Sequence, residues 1–277
     1  MQQILLFRAK TFFGFINKIY VLFSASSKRW ELVKSKLKLL TLKSLSETRW
    51  ESRIGAVKAI FLQFDDIIDC VNDLQDRDSD TLSDCEAILN EIFTFEFVVA
   101  IHVWYEILLR VNNISKLWQS VDVNLKGAVD NLNSFCNWIQ EYRNTGFEEA
   151  VAKARLLVEK SSYEIPTQFK DKRIAREKRM FGYEQIDELM QSTEIQFKVD
   201  FFITMVDSII ADTKRRFKAL NKYFERFCFI YDINYLKSLS KKDLHKHCKD
   251  LTTILRQGEK KRHSALRDIW GTPAFQV

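Results

Sequence analysis

Residues 39–53 read LLTLKSLSETRWESR, and this stretch contains the clearest helix start in the chain. Thr48 is followed three residues later by Glu51, which is the spacing of a capping box, so Thr48 is predicted to be the N-cap. Arg49 and Trp50 then occupy the first two helical positions. Because the first amides of a helix have no internal partner and carry partial positive charge, a phosphate near Arg49 would meet a guanidinium and free N–H groups.

The helix that starts here carries an apolar stripe with alternating spacings of four and three residues. Its members are Trp50, Ile54, Val57, Phe61, Phe64, Ile68 and Val71. Such a stripe predicts a helix from Arg49 to about Leu74 with one buried face. Two interpretations of Trp50 stand side by side: it is the first core residue of the stripe, or its indole stacks on a base.

The same periodicity predicts helices along most of the chain. They cover residues 11–23, 85–111, 121–142, 147–160, 183–231 and 240–257, with a short helix through Trp30, Val33 and Leu37. The 85–111 segment is apolar on every side, which is typical of a helix buried in a bundle. Breaks or loops are expected at 39–48, 75–83, 112–113 and 144–146. Ser240 is expected to cap the 240–257 helix, with Asp243 at its third position.

Composition also indicates a helical protein. The 277 residues are 46% hydrophobic and include 22 Phe, which excludes a disordered chain, yet there are only 7 Gly and 2 Pro. A sheet protein of this length needs many hairpin turns that contain Gly or Pro. The predicted fold class is therefore all-α, a multi-helix bundle with one long C-terminal helix. No run of about 18 uninterrupted apolar residues occurs, so no membrane span is predicted.

Four regions are expected along the chain. Residues 1–160 form a helical bundle with the Arg-Trp motif, 161–182 a basic linker, 183–258 the long helix plus a short C-terminal helix, and 259–277 an irregular tail. Between 199 and 231 apolar residues repeat every 3.5 residues, which predicts packing of the whole helix against the bundle or against another chain. Five widely spaced cysteines without a C-x-x-C pair suit free thiols in a reducing compartment.

The segment KDKRIAREKR, residues 170–179, carries six basic residues against Asp171 and Glu177. Three interpretations remain open: a solvated linker, a nuclear-import tract or a phosphate-binding stripe. The candidate phosphate contacts are Lys170, Lys172, Arg173, Arg176, Lys178 and Arg179. The polar side of the long helix is either solvated or part of a cationic surface; it carries Lys214, Arg215, Arg216, Lys218 and Lys222.

Few residues suggest catalysis or metal binding. His245 and Cys248 share a helix face while His247 points elsewhere, so zinc binding would need ligands from other elements; exposed polar residues are the alternative. His102 is predicted to be a hydrogen-bonded core residue. The Asp65-Asp66 pair diverges by about 100° on a helix and alone holds no pair of metal ions. No catalytic residue, cofactor or small-molecule substrate is assigned.

A family resemblance rests on residues 24–60, SASSKRWELVKSKLKLLTLKSLSETRWESRIGAVKAI, and on FFGFINKIYVLF just before them. This region resembles hAT-superfamily transposases and their domesticated relatives, the zinc finger MYM-type proteins. The resemblance implies the helical insertion domain of an RNase H-like transposase, in which Arg49 and Trp50 match an Arg-Trp pair at the DNA, with the Trp near a flipped base. It also implies that the family's two catalytic Asp lie before Met1 and its Glu beyond Val277, so that the catalytic sheet is missing.

We therefore expect a catalytically incomplete, transposase-derived protein that binds DNA. Arg49 and Arg53 would neutralise phosphates, Trp50 would stack on an unpaired base, and the 170–179 tract would add a salt-sensitive contribution. The tract and the resemblance predict a nuclear location, and otherwise a cytoplasmic one. The alternative is a helical interaction scaffold that pairs through its 199–231 helix and does not touch DNA. An intact enzyme of another kind is the third hypothesis, without a recognisable catalytic constellation.

Overall fold

The computed structural model describes residues 2–46, 50–119, 125–170, 192–231 and 233–257. Within these ranges every regular element is a helix, which confirms the all-α prediction for them. The helices are α1 (Gln2–Ser24), α2 (Ser27–Lys36), α3 (Trp50–Leu62), α4 (Phe64–Arg77), α5 (Leu82–Ile92), α6 (Phe95–Gln119), α7 (Leu125–Lys160), α8 (Thr193–Phe197), α9 (Thr204–Tyr231), α10 (Ile233–Ser238) and α11 (Lys241–Gln257). A 3₁₀ turn, Ser79–Thr81, precedes α5, and a π-helical turn, Lys198–Ile203, joins α8 to α9.

Helix α6 forms the centre of the bundle and packs against both α3 and α7. It is buried around its circumference, as Val98, Ile101 and Val103 show with no exposed surface. A helix that is apolar on all sides is stable in water only when neighbours enclose it, so the predicted buried helix is confirmed. By length and composition α6 is also the one described helix that qualifies as a membrane span, and 61% of its apolar window is buried inside the protein.

The predicted helix 49–74 is in fact two helices, because Gln63 interrupts it with φ −132° and ψ 47°. The side chain of Gln63 is buried and binds the extended connection between α2 and α3. Its Oε1 accepts hydrogen bonds from the N–H groups of Leu39 at 2.8 Å and Leu40 at 3.3 Å, and its Nε2 donates to the Leu40 carbonyl at 2.8 Å. The break thus lets the side-chain amide of Gln63 form hydrogen bonds with backbone groups of a segment that is not part of a helix or sheet.

The loop predicted at 75–83 is mostly helical, since only Asp78 and the 3₁₀ turn separate α4 from α5. Asp78 accepts a hydrogen bond from the Asp80 N–H at 3.1 Å and binds the guanidinium of Arg29, in α2, at 2.8 Å. Short Asp, Ser and Thr side chains cap helix ends as readily as they form turns. The polar run is therefore a junction between helices.

The predicted helix 85–111 breaks at Thr94 and ends later than expected. The Thr94 hydroxyl accepts a hydrogen bond from the Phe97 N–H at 3.2 Å and so caps the start of α6. The Asn112-Asn113 pair does not end α6, which continues to Gln119. Asn112 is buried, and its packing outweighs the weak helix propensity of Asn.

Helix α7 is continuous over 36 residues, so the break predicted at 144–146 is wrong. Gly146 is buried inside this helix against the ring of Tyr142. A Cβ at Gly146 would lie 2.5 Å from atoms of that ring. The glycine is required for close packing and not for a turn. The first helix is also longer than predicted, since α1 begins at Gln2 and not near Thr11.

The predicted long helix is observed from Thr193 to Tyr231, with the π-helical turn near its start. The extra residue of such a turn rotates the helix face. Val199, the first member of the predicted repeat, is 48% exposed, whereas Phe202 and Val206 are fully buried. Because α9 packs against α7 and α1, the bundle itself covers the first turns of the repeat.

Candidate nucleic-acid interface

The Arg-Trp motif lies at the beginning of α3, whose first residue is Trp50. Residues 47–49 are outside the described ranges, so the predicted Thr48 cap and the position of Arg49 stay predictions. Just before them, the Ser46 N–H donates a hydrogen bond to Ser52 Oγ at 2.8 Å. This bond holds the incoming chain against the first turn of α3.

The charges around the start of α3 have both signs. The Glu51 carboxylate is 3.8 Å from Lys116 Nζ in α6, and both side chains are largely exposed. Such a pair adds little stability. Lys43 lies over Gly55, where its Cδ would be 3.0 Å from an added Cβ. Two lysines therefore flank this helix end, and one carboxylate partly neutralises them.

Arg53 faces the protein interior. Only 6% of its surface is exposed, and its guanidinium lies 5.2 Å from the ring centroid of Phe13 in α1. Phe13 in turn packs edge-on against Trp104 of α6, with ring centroids 4.7 Å apart. The expected phosphate contact by Arg53 does not fit this position, because a phosphate would have to displace core side chains. Arg53 instead joins α1, α3 and α6.

The basic tract 170–179 is described only at its first residue. Lys170 is exposed, and its backbone N–H donates a hydrogen bond to Glu96 Oε1 at 2.7 Å. The other candidate contacts lie outside the described residues: Lys172, Arg173, Arg176, Lys178 and Arg179. Whether the tract is a linker, an import signal or a phosphate-binding stripe therefore stays a prediction.

The segment 161–170 has no regular secondary structure, but it is fastened to the bundle. Asp65 accepts hydrogen bonds from the Ser161 hydroxyl at 2.7 Å and from the Ser162 N–H at 2.8 Å. Ile165 is buried. The Asp65 carboxylate thus has a structural role, which the sequence pattern of two adjacent Asp residues did not suggest.

An aromatic cluster holds the chain on both sides of residues 171–191. The ring of Phe169 lies 5.1 Å from that of Phe95 and 5.3 Å from that of Phe197. Phe147, in α7, packs against both Phe169 and Phe197. Residues 169 and 197, on the two sides of this segment, therefore meet in one cluster.

A large excess of positive charge lies in the C-terminal hairpin, which we define as residues 213–257; residues 1–58 carry a similar excess, with twelve basic and three acidic residues. Its sequence has twelve Lys and Arg residues against four Asp and Glu. The cations that are exposed in the described part are Lys214, Arg215, Lys218, Lys222, Lys237, Lys241, Lys242, Lys246 and Lys249. The charge excess can be found from the sequence by counting charges region by region. The exposure of these side chains cannot be found from the sequence.

Helix α11 folds back along α9 to make this hairpin. Ser240 Oγ accepts a hydrogen bond from the Asp243 N–H at 3.2 Å and donates one to Asp243 Oδ2 at 2.6 Å, which confirms the predicted cap. The His247 ring stacks on the Phe229 ring with centroids 5.2 Å apart. Since the apolar side chains meet between the helices, the charged ones remain on the outer faces.

His245 and Cys248 lie on the exposed face of α11, away from His247, as predicted. They line an open groove together with Lys249, Thr252 and Thr253. Within the described ranges, no three His, Cys, Asp or Glu side chains are grouped so as to hold a metal ion. The groove is therefore a polar surface feature of the hairpin.

Two buried titratable groups are kept neutral. His102 Nδ1 lies 2.8 Å from the Val98 carbonyl, and burial lowers the pKa of this imidazole, which confirms the predicted core histidine. Burial raises the pKa of the Cys70 thiol to about 12. All five cysteines are free, as predicted. Cys70 is protonated at neutral pH and supplies no thiolate nucleophile.

Comparison of this chain with models of known protein families, with curated proteins and with solved structures found no match.

Proposed function

We propose that this chain is a DNA-binding helical protein, derived from the insertion domain of a hAT-type transposase and without strand-transfer activity. The all-α architecture of the described residues supports the proposal, because the insertion domain implied by the resemblance is also helical. The 170–179 tract supports a nuclear location.

The distribution of charge carries this proposal. The C-terminal hairpin has eight more basic than acidic residues and residues 1–58 have nine more, whereas the whole chain has a net charge of only +6, so positive charge is concentrated in these two regions. Concentration of Lys and Arg on one part of a surface is the electrostatic footprint of proteins that bind a nucleic-acid backbone. Charges that served only solubility would be spread over the molecule.

The Arg-Trp pair forms the second part of the proposal. Arg49 precedes the first turn of α3, where helix amides favour an anion, and the side chain of Lys43, from the connection before α3, lies over Gly55 of this helix. Trp50 stacks on an unpaired base, which is worth roughly 1–3 kcal/mol. Arg53 is left out of the proposed contacts because it is buried against Phe13.

Fluorescence anisotropy with a labelled DNA hairpin tests the proposal. We expect the affinity to fall steeply between about 50 and 200 mM salt, because phosphate contacts release counterions. Trp50→Ala, shown to be folded by circular dichroism, should weaken binding to the DNA hairpin by roughly 5- to 100-fold and leave binding to a blunt DNA duplex nearly unchanged. If the folded variant binds the DNA hairpin as tightly as the unmodified protein does, Trp50 has no stacking role. If the unmodified protein binds no DNA, the proposed function is wrong.

A second candidate function is that of a helical interaction scaffold. The tip of the C-terminal hairpin exposes apolar side chains, with Ile230 at 51%, Ile233 at 65% and Leu236 at 38% exposure. Neighbouring exposed apolar residues are typical of contact surfaces. Sedimentation without DNA tests this candidate: a scaffold self-associates and Ile233→Lys abolishes the association, whereas a DNA-binding monomer sediments identically with and without the substitution.

A further inference from the structure

We infer that the C-terminal hairpin binds the phosphate backbone of duplex DNA through a row of lysines on α9, independently of base sequence. The inference rests on the proposed DNA binding and assigns it to one surface. Lys214, Lys218 and Lys222 follow one another at four-residue intervals, so they share a face of α9 with about 6 Å of axial rise between neighbours. All three side chains are exposed.

Among the side chains that the structure describes, the row has no carboxylate partner. The adjacent Arg215 binds Asp212 at 3.0 Å. None of the three lysines, in contrast, lies within ion-pair distance of a carboxylate among the described residues. Like charges at i and i+4 destabilise a helix by a few tenths of a kcal/mol. A chain of phosphates along the row would relieve this repulsion and use every lysine in it.

Helix α11, which packs against α9, carries a second set of exposed cations. The stacking of His247 on Phe229 keeps α11 next to α9. Asp243 on α11 is engaged by Ser240, and Asp250 is the other acidic residue of this helix. The exposed cations on its outer surface are Lys241, Lys242, Lys246 and Lys249.

The orientation of the aromatic side chains favours duplex over single-stranded DNA. Proteins that bind single strands present exposed aromatic rings on which bases stack. In the hairpin, Phe217, Phe224 and Phe227 are half-buried and Phe229 is buried. Among the hairpin's aromatic side chains that the structure describes, Tyr235 at the tip is the most exposed, at 39%. Within this described set, the lysine row therefore has no exposed aromatic ring beside it on which a base could stack.

An anionic membrane is the competing ligand, because the hairpin tip is apolar. Lys214 precedes Ile230 by 16 residues, which corresponds to about 24 Å along the helix. A tip inserted into a bilayer would need its cations in one plane at the level of the headgroups. The row instead runs along the axis of α9 away from the tip, and a linear polyanion matches that arrangement.

Anisotropy titrations of the full chain test the inference. The probes are two blunt DNA duplexes of unrelated sequence, each titrated at several salt concentrations. In the test variant Lys214, Lys218 and Lys222 are replaced by Gln; in the matched control three exposed lysines near α2, Lys28, Lys34 and Lys38, are replaced by Gln.

We expect the test variant to lose about three from the slope of log affinity against log salt, equally for both duplexes, and the control to keep the original slope. The melting temperature of the test variant should not fall, because the substitutions remove like-charge repulsion. A lower affinity that reflected misfolding would be accompanied by a lower melting temperature.

Three results would overturn the inference while leaving DNA binding intact: an unchanged slope in the test variant, an equal loss in the control, or a loss confined to one duplex sequence. Failure of the unmodified protein to bind either duplex would reject the inference, and failure to bind the labelled DNA hairpin as well would also reject the proposed function. Retention on phosphatidylserine vesicles without duplex binding would reject the inference and identify the membrane as the ligand of the lysine row.

Discussion

The guanidinium of Arg53 lies 5.2 Å from the ring centroid of Phe13, and both residues are buried in the bundle. Arg53 is three residues from Trp50, so this contact fixes the start of α3 against α1. The basic residues of the Arg-Trp region thus divide into two kinds. Of its two arginines, Arg53 stabilises the fold and Arg49 remains a candidate for phosphate binding.

Replacement of Arg53 by Ala should destabilise the protein. Loss of the cation–π contact and of buried packing is expected to cost about 1–3 kcal/mol in the free energy of unfolding. The affinity of the folded protein for duplex DNA should stay within about twofold, because phosphates do not reach this buried site. Urea denaturation measures the free energy of unfolding, and fluorescence anisotropy measures the affinity for DNA. As a control, Glu86→Gln at an exposed position of α5 should change neither; a large loss of affinity in stable Arg53→Ala would contradict the structural role.

Replacement of Gln63 by Leu should destabilise the connection between α2 and α3. The substitution leaves the N–H groups of Leu39 and Leu40 without their shared acceptor, at a cost of about 2–4 kcal/mol. Hydrogen exchange should show faster exchange of these two amides. Gln168→Leu, at an exposed position, is the control and should leave both stability and exchange unchanged. Slow exchange in Gln63→Leu would mean that other groups satisfy the connection.

Two glycine substitutions on helices should have opposite effects. Gly14 has no atom within 4 Å of an added Cβ, so Gly14→Ala should stabilise the protein by about 0.5–1 kcal/mol through a smaller loss of backbone entropy. Gly146→Ala should destabilise it by about 1–3 kcal/mol, because the Tyr142 ring is packed against Trp138 and has little room to move. Thermal unfolding measures both. Stabilisation by both substitutions would mean that the Tyr142 ring moves aside at little cost.

The stability of the protein should fall in mild acid because of His102. Burial lowers the pKa of this imidazole below its ordinary value of 6.5, so the unfolded chain binds a proton that the folded one does not. The contribution of neutral His102 to the free energy of unfolding is present at neutral pH. It is lost as the pH falls below about 6.5, by at most about 1.4 kcal/mol per pH unit. Urea midpoints between about pH 7.5 and 5 should show this slope. It should be smaller in His102→Gln and unchanged in the exposed His245→Gln; equal slopes in all three proteins would contradict the assignment.

Periodicity predicted the helical segments because the buried face of a helix places apolar residues every three to four positions, whichever helices it packs against. It did not predict where they break. Gln63 and Thr94 interrupt apolar runs because their side chains bind backbone groups, at 39–40 and at Phe97, and those bonds depend on the folded arrangement. Conversely, Gly146 is a helix breaker by propensity, but a buried contact keeps the helix intact around it.

The sequence by itself determined the fold class, the buried character of α6, the Ser240 cap and the regional excess of positive charge, because each depends on composition or on residues within a few positions of one another. Only the tertiary structure decided which cations face solvent. Arg53 is drawn into the core by Phe13, whereas the lysines of α9 and α11 stay outside because Phe229 and His247 meet between these two helices. Exposure of a charged side chain depends on which face of its helix the rest of the chain covers, and helix spacing alone carries no such information.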